Sequence, residues 1–229
     1  MDPTRSDSTE SIPTGCKDVN LTGDCASVRV APFILSAMDR LWTPWRYNYI
    51  SGEGGRGRKG VPKELEAWPG EDSGCVFCNL SRSVEWAAGT EMGREAAEKA
   101  GHIVVRFATC YVALNAFPYA SGHVLIVPYL HTDSLAKVPV VEAEELMRVA
   151  QAVETALRTV YRPDGINLGM NLGEAAGAGV AGHVHIHVLP RWFGDTNFMT
   201  VIAETRVLPE TLDVSWKRLR EALSSFAPA

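Results

Sequence analysis

The chain has 229 residues, 46% hydrophobic and 21% charged, an ordinary balance for a soluble globular protein, and its length suits one domain with tails. A net charge of -5 argues against broad nucleic-acid binding, and no apolar run approaches the length of a membrane span.

Residues 1–37 are rich in Ser, Thr, Asp and Gly without sustained periodicity, and read as a disordered leader. They lack the basic-then-apolar pattern of a secretory signal, so a cytoplasmic location is expected. Dense aromatics begin at Met38 in "MDRLWTPWRYNYI", which makes Met38 a candidate start and residues 38–229 the expected folded domain. Within it, residues 51–74 are rich in Gly, Pro and charge and read as a surface-loop insertion. "CVFC" follows, placing Cys75 and Cys78 in a C-x-x-C that redox pairs and half zinc sites share. Five cysteines, an odd number, do not suggest a disulfide framework, and Cys110 reads as plain core.

"HIVVRF" and "CYVALN" read as two antiparallel strands, "AFPYASG" as a turn and "HVLIVPY" as a third strand. From Leu146 to Val160 apolar residues recur by three and four, which predicts a helix with one buried face, stopped by "RPDG". "INLGMN" and "HVHIHVLP" are two further strands joined by the loop "LGEAAGAGVAG". "FMTVIA" is expected to be short and extended, and "PETLDVSWKRLREALSSF" to form a terminal helix that starts at its Pro. The fold class is therefore α+β: an antiparallel sheet of about five strands, with one long helix and a C-terminal helix.

The strongest chemical signal lies in "GHVHIHVLPRW". His183, His185 and His187, half of the six histidines, alternate with Val184, Ile186 and Val188. In a strand that spacing puts the imidazoles on one face and the aliphatics in the core. Three adjacent imidazoles cannot all be charged cheaply, so some are neutral near pH 7 and able to ligate or attack. Two chemistries fit: a metal shared by three histidines, or a nucleophilic histidine with helpers. The preceding glycines, at 173, 177, 179 and 182, let backbone N–H groups approach a ligand, as a phosphate cradle requires.

The run H-φ-H-φ-H-φ-φ, with φ apolar, followed by Pro-Arg resembles the signature of the histidine-triad (HIT) family. "LNAFPYASGHVLIVP" resembles that family's nucleoside-contacting strand pair and "NLGEAAGAGVAG" its substrate loop. "LWTPWRYNYI" and "RWFGDTNFMTVIAETRVLP" resemble its diadenosine tetraphosphate phosphorylase branch, which is similar to the fragile-histidine-triad hydrolases. The resemblance implies an enzyme that transfers or hydrolyses nucleotidyl groups of dinucleoside polyphosphates through a nucleotidyl-histidine, released by phosphate or water. A nucleoside phosphoramidate substrate is the alternative within the family.

By the same resemblance His185 is the nucleophile, His187 contacts phosphate and assists the leaving group, and His123 supports the cluster. Asn115 meets the ribose, Asn171 with the backbone of Gly177 and Gly179 holds phosphate oxygens, and Arg191 and Trp192 lie near the polyphosphate and a base. Ala178, Gly179 and Val180 stand where much of the family has Gln followed by Ser or Thr, which leaves more to backbone donors. The resemblance also implies a structural zinc held by Cys75, Cys78, His131 and His183, a closed tetrahedral set. Finally, it implies a homodimer formed through the long helix and a sheet edge, with "CYVALN" and the helix from Leu146 to Val160 contributing.

Overall fold

The computed structural model describes residues 60–195 and 210–226. The expected leader, Met38, the first part of the 51–74 insertion and "FMTVIA" lie outside the described residues. Five strands form one antiparallel sheet: β1 (Ile103–Arg106), β2 (Cys110–Leu114), β3 (Val124–Pro128), β4 (Gly165–Gly169) and β5 (Ile186–Arg191). Their order across the sheet is β1-β2-β3-β5-β4 and every neighbouring pair is antiparallel, in keeping with the expected α+β class.

One face of the sheet packs on α3 (Val140–Tyr161) and α4 (Leu212–Leu223). Leu146, Val149, Val153 and Leu157 form the buried stripe of α3 that their spacing predicts, over Val112, Ile126, Ile186 and Val188 of the strands. Each fully buried aliphatic there contributes roughly 1.5–3 kcal/mol. The helix ends where Arg162 turns into the left-handed region (φ 47°), just before Pro163. α4 begins after Thr211, whose hydroxyl accepts the Val214 N–H, so a side-chain cap starts this helix.

The other face carries two helices that the sequence reading passed over, α1 (Val76–Ala88) and α2 (Gly93–Ala100). Phe77, Val84 and Ala97 close a second core over Ile103, Tyr111, Ala113, Leu125 and Val127. The insertion before α1 is not wholly a surface loop. Its described part contains a short 3-10 turn, Lys63–Leu65, and buries Leu65 and Trp68.

Two expectations about assembly need correction. "CYVALN" offers no free edge, because β2 pairs with β1 on one side and β3 on the other. The apolar stripe from Leu146 to Leu157 faces the sheet and not a partner. The exposed apolar residues of α3 are Val140, Val141 and Met147, and the sheet edge beyond β5 is β4, with Leu168 exposed.

Candidate active site

The histidine run alternates as its spacing requires. Val184, Ile186 and Val188 enter the core under α3, while the His183 and His185 rings meet Phe77 of α1 at 5.5 and 4.8 Å between centroids. The regular strand is shorter than "HVHIHVLP", beginning only at Ile186. The reason lies in the hydrogen bonds. The His183 carbonyl accepts from a ring nitrogen, His185 Nδ1 at 2.8 Å, while the Val184 N–H goes to Thr132 O at 2.7 Å. The site has taken over the end of the ladder.

Those partners fix tautomers. A carbonyl can only accept, so His185 carries its proton on Nδ1 and keeps a lone pair on Nε2. Burial holds the His185 pKa below the usual imidazole range, so the ring is neutral near pH 7. His183 donates through Nε2–H to Pro128 O at 2.9 Å, which leaves Nδ1 as its lone-pair atom. Burial pushes its pKa down to about 4.

His187 is set by a longer chain of bonds. The Tyr119 N–H donates to His123 Nδ1 at 3.1 Å, so His123 carries its proton on Nε2. That atom lies 3.0 Å from His187 Nδ1, which must accept, so the proton of a neutral His187 sits on Nε2. The His185 and His187 rings stand 4.8 Å apart between centroids. A buried nucleophilic nitrogen therefore stands beside an imidazole poised to donate.

The three histidines do not converge on a shared metal. His183 instead joins Cys75, Cys78 and His131, whose ligand atoms all lie within 4.8 Å of one another, the one such group among the described residues. Cys75 Sγ is 3.3 Å and Cys78 Sγ 3.6 Å from His183 Nδ1; Cys78 Sγ is 3.4 Å and His183 Nδ1 3.2 Å from His131 Nδ1. A tetrahedral zinc with bonds of about 2.3 Å to sulfur and 2.0 Å to nitrogen has ligand–ligand edges of roughly 3.3–3.8 Å. The donor set fits such a cation, and the His183 Nε2–H bond to Pro128 O is the outer support that metal-bound imidazoles need. Burial, and then Cys75, push the Cys78 thiol up to about 11. A nearby dication is what would deprotonate it.

The remaining candidates are placed more loosely. Asn115 Nδ2 lies 3.4 Å from His123 Nδ1, and its Oδ1 accepts the Phe117 N–H. Asn171 Nδ2 donates to Gly177 O at 3.5 Å, and Gly177 has φ 85°, a backbone shape that glycine supplies. Gly179 is exposed on the same loop, whose Val180 packs against the Phe77 cluster. Arg191 is engaged by Asp195 and Asn167, and Trp192 meets Tyr161 edge-on at 6.3 Å. Phe77, Tyr119, Pro128 and Thr132 were missed. Phe77 stands inside "CVFC" and is findable from the motif; Pro128 and Thr132 act through backbone atoms, and Tyr119 through its N–H and a ring that packs 4.9 Å from His123 between centroids.

The chain has recognisable relatives among known proteins. Residues 96–194 match the HIT domain. A protein of Mycobacterium tuberculosis named AP-4-A phosphorylase is 35% identical over 175 residues, 76% of this chain and 79% of that protein. A yeast bis(5'-adenosyl)-triphosphatase, from Saccharomyces cerevisiae, is 32% identical over 83 residues, 36% of this chain and 40% of that one. Among solved structures, a zinc-bound histidine triad family protein of Mycobacterium smegmatis is 28% identical with a TM-score of 0.49, covering 66% of this chain and 94% of that one. With the triad, its supporting histidine and a relative of this identity over most of its length, the chain belongs to the HIT family.

Proposed function

We propose that the protein is an enzyme acting on dinucleoside polyphosphates of the diadenosine tetraphosphate kind, through a nucleotidyl-histidine on His185. The observation that carries this reading is the bond from His185 Nδ1–H to the His183 carbonyl, which dedicates Nε2 to attack. The substrate class is supported by the relatives named AP-4-A phosphorylase and bis(5'-adenosyl)-triphosphatase.

In the first step the His185 Nε2 lone pair attacks the α-phosphorus. A P–N bond forms as the bond to the bridging oxygen of the leaving nucleotide breaks; that oxygen leaves as a phosphate oxyanion, which the His187 Nε2–H stabilises by a hydrogen bond without giving up its proton. In the second, inorganic phosphate or water attacks the same phosphorus and the P–N bond breaks, its electron pair returning to His185 Nε2; when water attacks, the proton it loses goes to solvent. Asn115 holds the ribose, Asn171 with the backbone of Gly177 and Gly179 holds phosphate oxygens, and Arg191 and Trp192 serve the distal polyphosphate and a base.

Cys75, Cys78, His131 and His183 would hold a zinc ion whose role is structural, since four protein ligands leave no open position for water. Its contribution is to fix His183, whose carbonyl orients the nucleophile. We also place the homodimer contact at β4 and the exposed apolar residues of α3; a monomeric mass at micromolar concentration would rule it out.

The deciding experiment is incubation with diadenosine tetraphosphate, with and without inorganic phosphate, followed by acid-free quenching. A phosphorus–nitrogen adduct should map to His185, and ADP as against AMP among the products tells phosphate from water as the second nucleophile. An adduct on another residue, or full activity in His185→Ala, overturns the mechanism.

A further inference from the structure

Asn79 is a polar side chain with no exposure at all, yet the residues it holds are on the surface. It stands one turn into α1, and its Oδ1 accepts both the Ser73 N–H at 3.0 Å and the Ser73 hydroxyl at 2.8 Å. Its Nδ2 donates to Asp72 Oδ1 at 2.7 Å, the same oxygen that accepts the Gly74 N–H at 2.8 Å. The Cys75 N–H in turn reaches Ser73 Oγ at 3.3 Å, and the Asn79 N–H reaches Cys75 O at 3.0 Å. One buried carboxamide thus ties down the whole turn from Asp72 to Cys75.

The turn needs a tether because the two cysteines are held differently. Cys78 lies inside the helix, so the helical backbone places its sulfur. Cys75 is the residue just before the helix, with extended backbone (φ -111°, ψ 122°) and no side-chain cap of its own. Residues before a helix fray, and Gly74 beside it (φ 71°) adds freedom. Even so, Cys75 Sγ must stay 3.3 Å from His183 Nδ1, on the far side of 108 residues of chain.

We propose that Asn79 is a positioning residue that preorganises Cys75 for a divalent cation, acting through the turn Asp72–Ser73–Gly74. The inference rests on reading Cys75, Cys78, His131 and His183 as a zinc site. It assigns to Asn79 more than helix capping: a cap stabilises the chain with or without metal, whereas a positioning residue changes what the metal sees.

The test is competition for zinc between the full-length protein and a chromogenic chelator, with cobalt substitution as a second readout. Asn79→Ala should weaken zinc by about 10–100-fold, the usual cost of removing an outer-shell support. It should also reduce the cobalt–thiolate charge-transfer band per bound ion. Asp72→Ala, on an exposed turn that leaves the helix intact, should act in the same direction and carries the test if Asn79→Ala does not fold. Asp72→Asn keeps an oxygen that can accept both bonds and should bind as the unmodified protein does. If Asn79→Ala and Asp72→Ala lower the melting temperature of the zinc-free protein but leave zinc affinity and the cobalt spectrum unchanged, Asn79 is only a cap and the proposal fails. If the unmodified protein takes up no stoichiometric zinc, the metal reading itself fails, a different result from the same titration.

Discussion

His123 Nε2 and His187 Nδ1 face each other at 3.0 Å, and the Tyr119 N–H on the far side of His123 decides which of them donates. A backbone amide cannot reverse its role, so the direction of the whole relay is set by the hairpin that leads into β3. His123→Leu should remove the donor and let the His187 proton move to Nδ1, away from the leaving group. A loss of about 10–100-fold in kcat is expected, somewhat less than the ~10²–10³-fold cost of removing a transition-state donor outright, because the His187 ring itself remains. His123→Gln, whose carboxamide nitrogen can stand where Nε2 stood, should recover part of it. Nitrogen-15 spectra of labelled histidine should show the tautomer change directly. Equal rates in all three proteins would remove the relay from the mechanism.

His187 and His185 make different bonds, and replacing each should fail differently. On the proposed mechanism His185 supplies the atom that becomes bonded to phosphorus, so His185→Ala should give neither turnover nor adduct. His187→Ala leaves that atom and its orienting carbonyl in place. Such a variant should turn over slowly and still become nucleotidylated, visible as a mass increase on His185. Loss of adduct in a folded His187→Ala protein would show that the two cannot be separated.

The parts of this site that were legible in the sequence are those written in side chains at fixed spacing. Alternating His and aliphatic residues set both the faces of β5 and the division between core and chemistry. "CVFC" with His131 and His183 foretold a donor set that the fold does assemble. α1 was illegible because its inward face carries Cys78, Asn79 and Ser83 beside Phe77 and Val84, which breaks the apolar stripe. α2 was illegible because it has eight residues and buries only Ala97 and Glu98. Tyr119 N–H, Pro128 O and Thr132 O act through the main chain, which every residue type has, so no residue letter marks them.

Glu98 shows what holds α2 in place. Its carboxylate is 3% exposed at the residue level and meets Arg220 at 2.6 Å and Arg106 at 3.4 Å, with Arg94 at 3.8 Å. Arg220 also donates to Val104 O at 2.9 Å, so the cluster fastens α2 and α4 to β1. Glu98→Ala should take from Arg220 and Arg106 their nearest carboxylate, while Arg94 keeps its pair with Glu85. Because Arg106 and Arg220 keep some contact with water, the cost should be about 2 kcal/mol, below the figure for a fully buried pair. Urea unfolding with an unchanged m-value would measure it. A change under about 0.5 kcal/mol, the range of plain surface substitutions, would mean the cluster is incidental.

Cys110 predicts a pH dependence whose sign can be worked out. Burial in the core of β2 pushes its thiol up to about 12, against about 8.5 for a free cysteine. The folded chain thus keeps the proton where the unfolded chain loses it. This contribution to stability is fully present below pH ~8.5 and is lost as pH rises towards the folded value. Cys110→Ala should flatten the fall in stability between about pH 9 and 11 relative to the unmodified protein. In the native protein the thiol should also resist alkylation at pH 8. Rapid labelling of Cys110 without unfolding would contradict its burial.

With the proposed zinc held by Cys75, Cys78, His131 and His183, removal of the metal should reach His185, the proposed nucleophile, through the backbone. Four ligands from three places in the chain meet at His183, and the His183 carbonyl holds the His185 ring. Cys75→Ser, or exhaustive chelation, should therefore lower the melting temperature by about 5 °C, corresponding to roughly 2 kcal/mol for a chain of this size. It should also lower kcat more than it raises KM, because the group being misplaced is the one that attacks. Zinc returned to the chelated protein should restore both, whereas magnesium, which prefers oxygen ligands, should restore neither. Full zinc content in a Cys75/Cys78 double substitution would exclude the assigned ligands. An unchanged rate in a zinc-free but folded protein would show that His185 keeps its orientation without the metal, and that the bond to the His183 carbonyl needs only the protein around it.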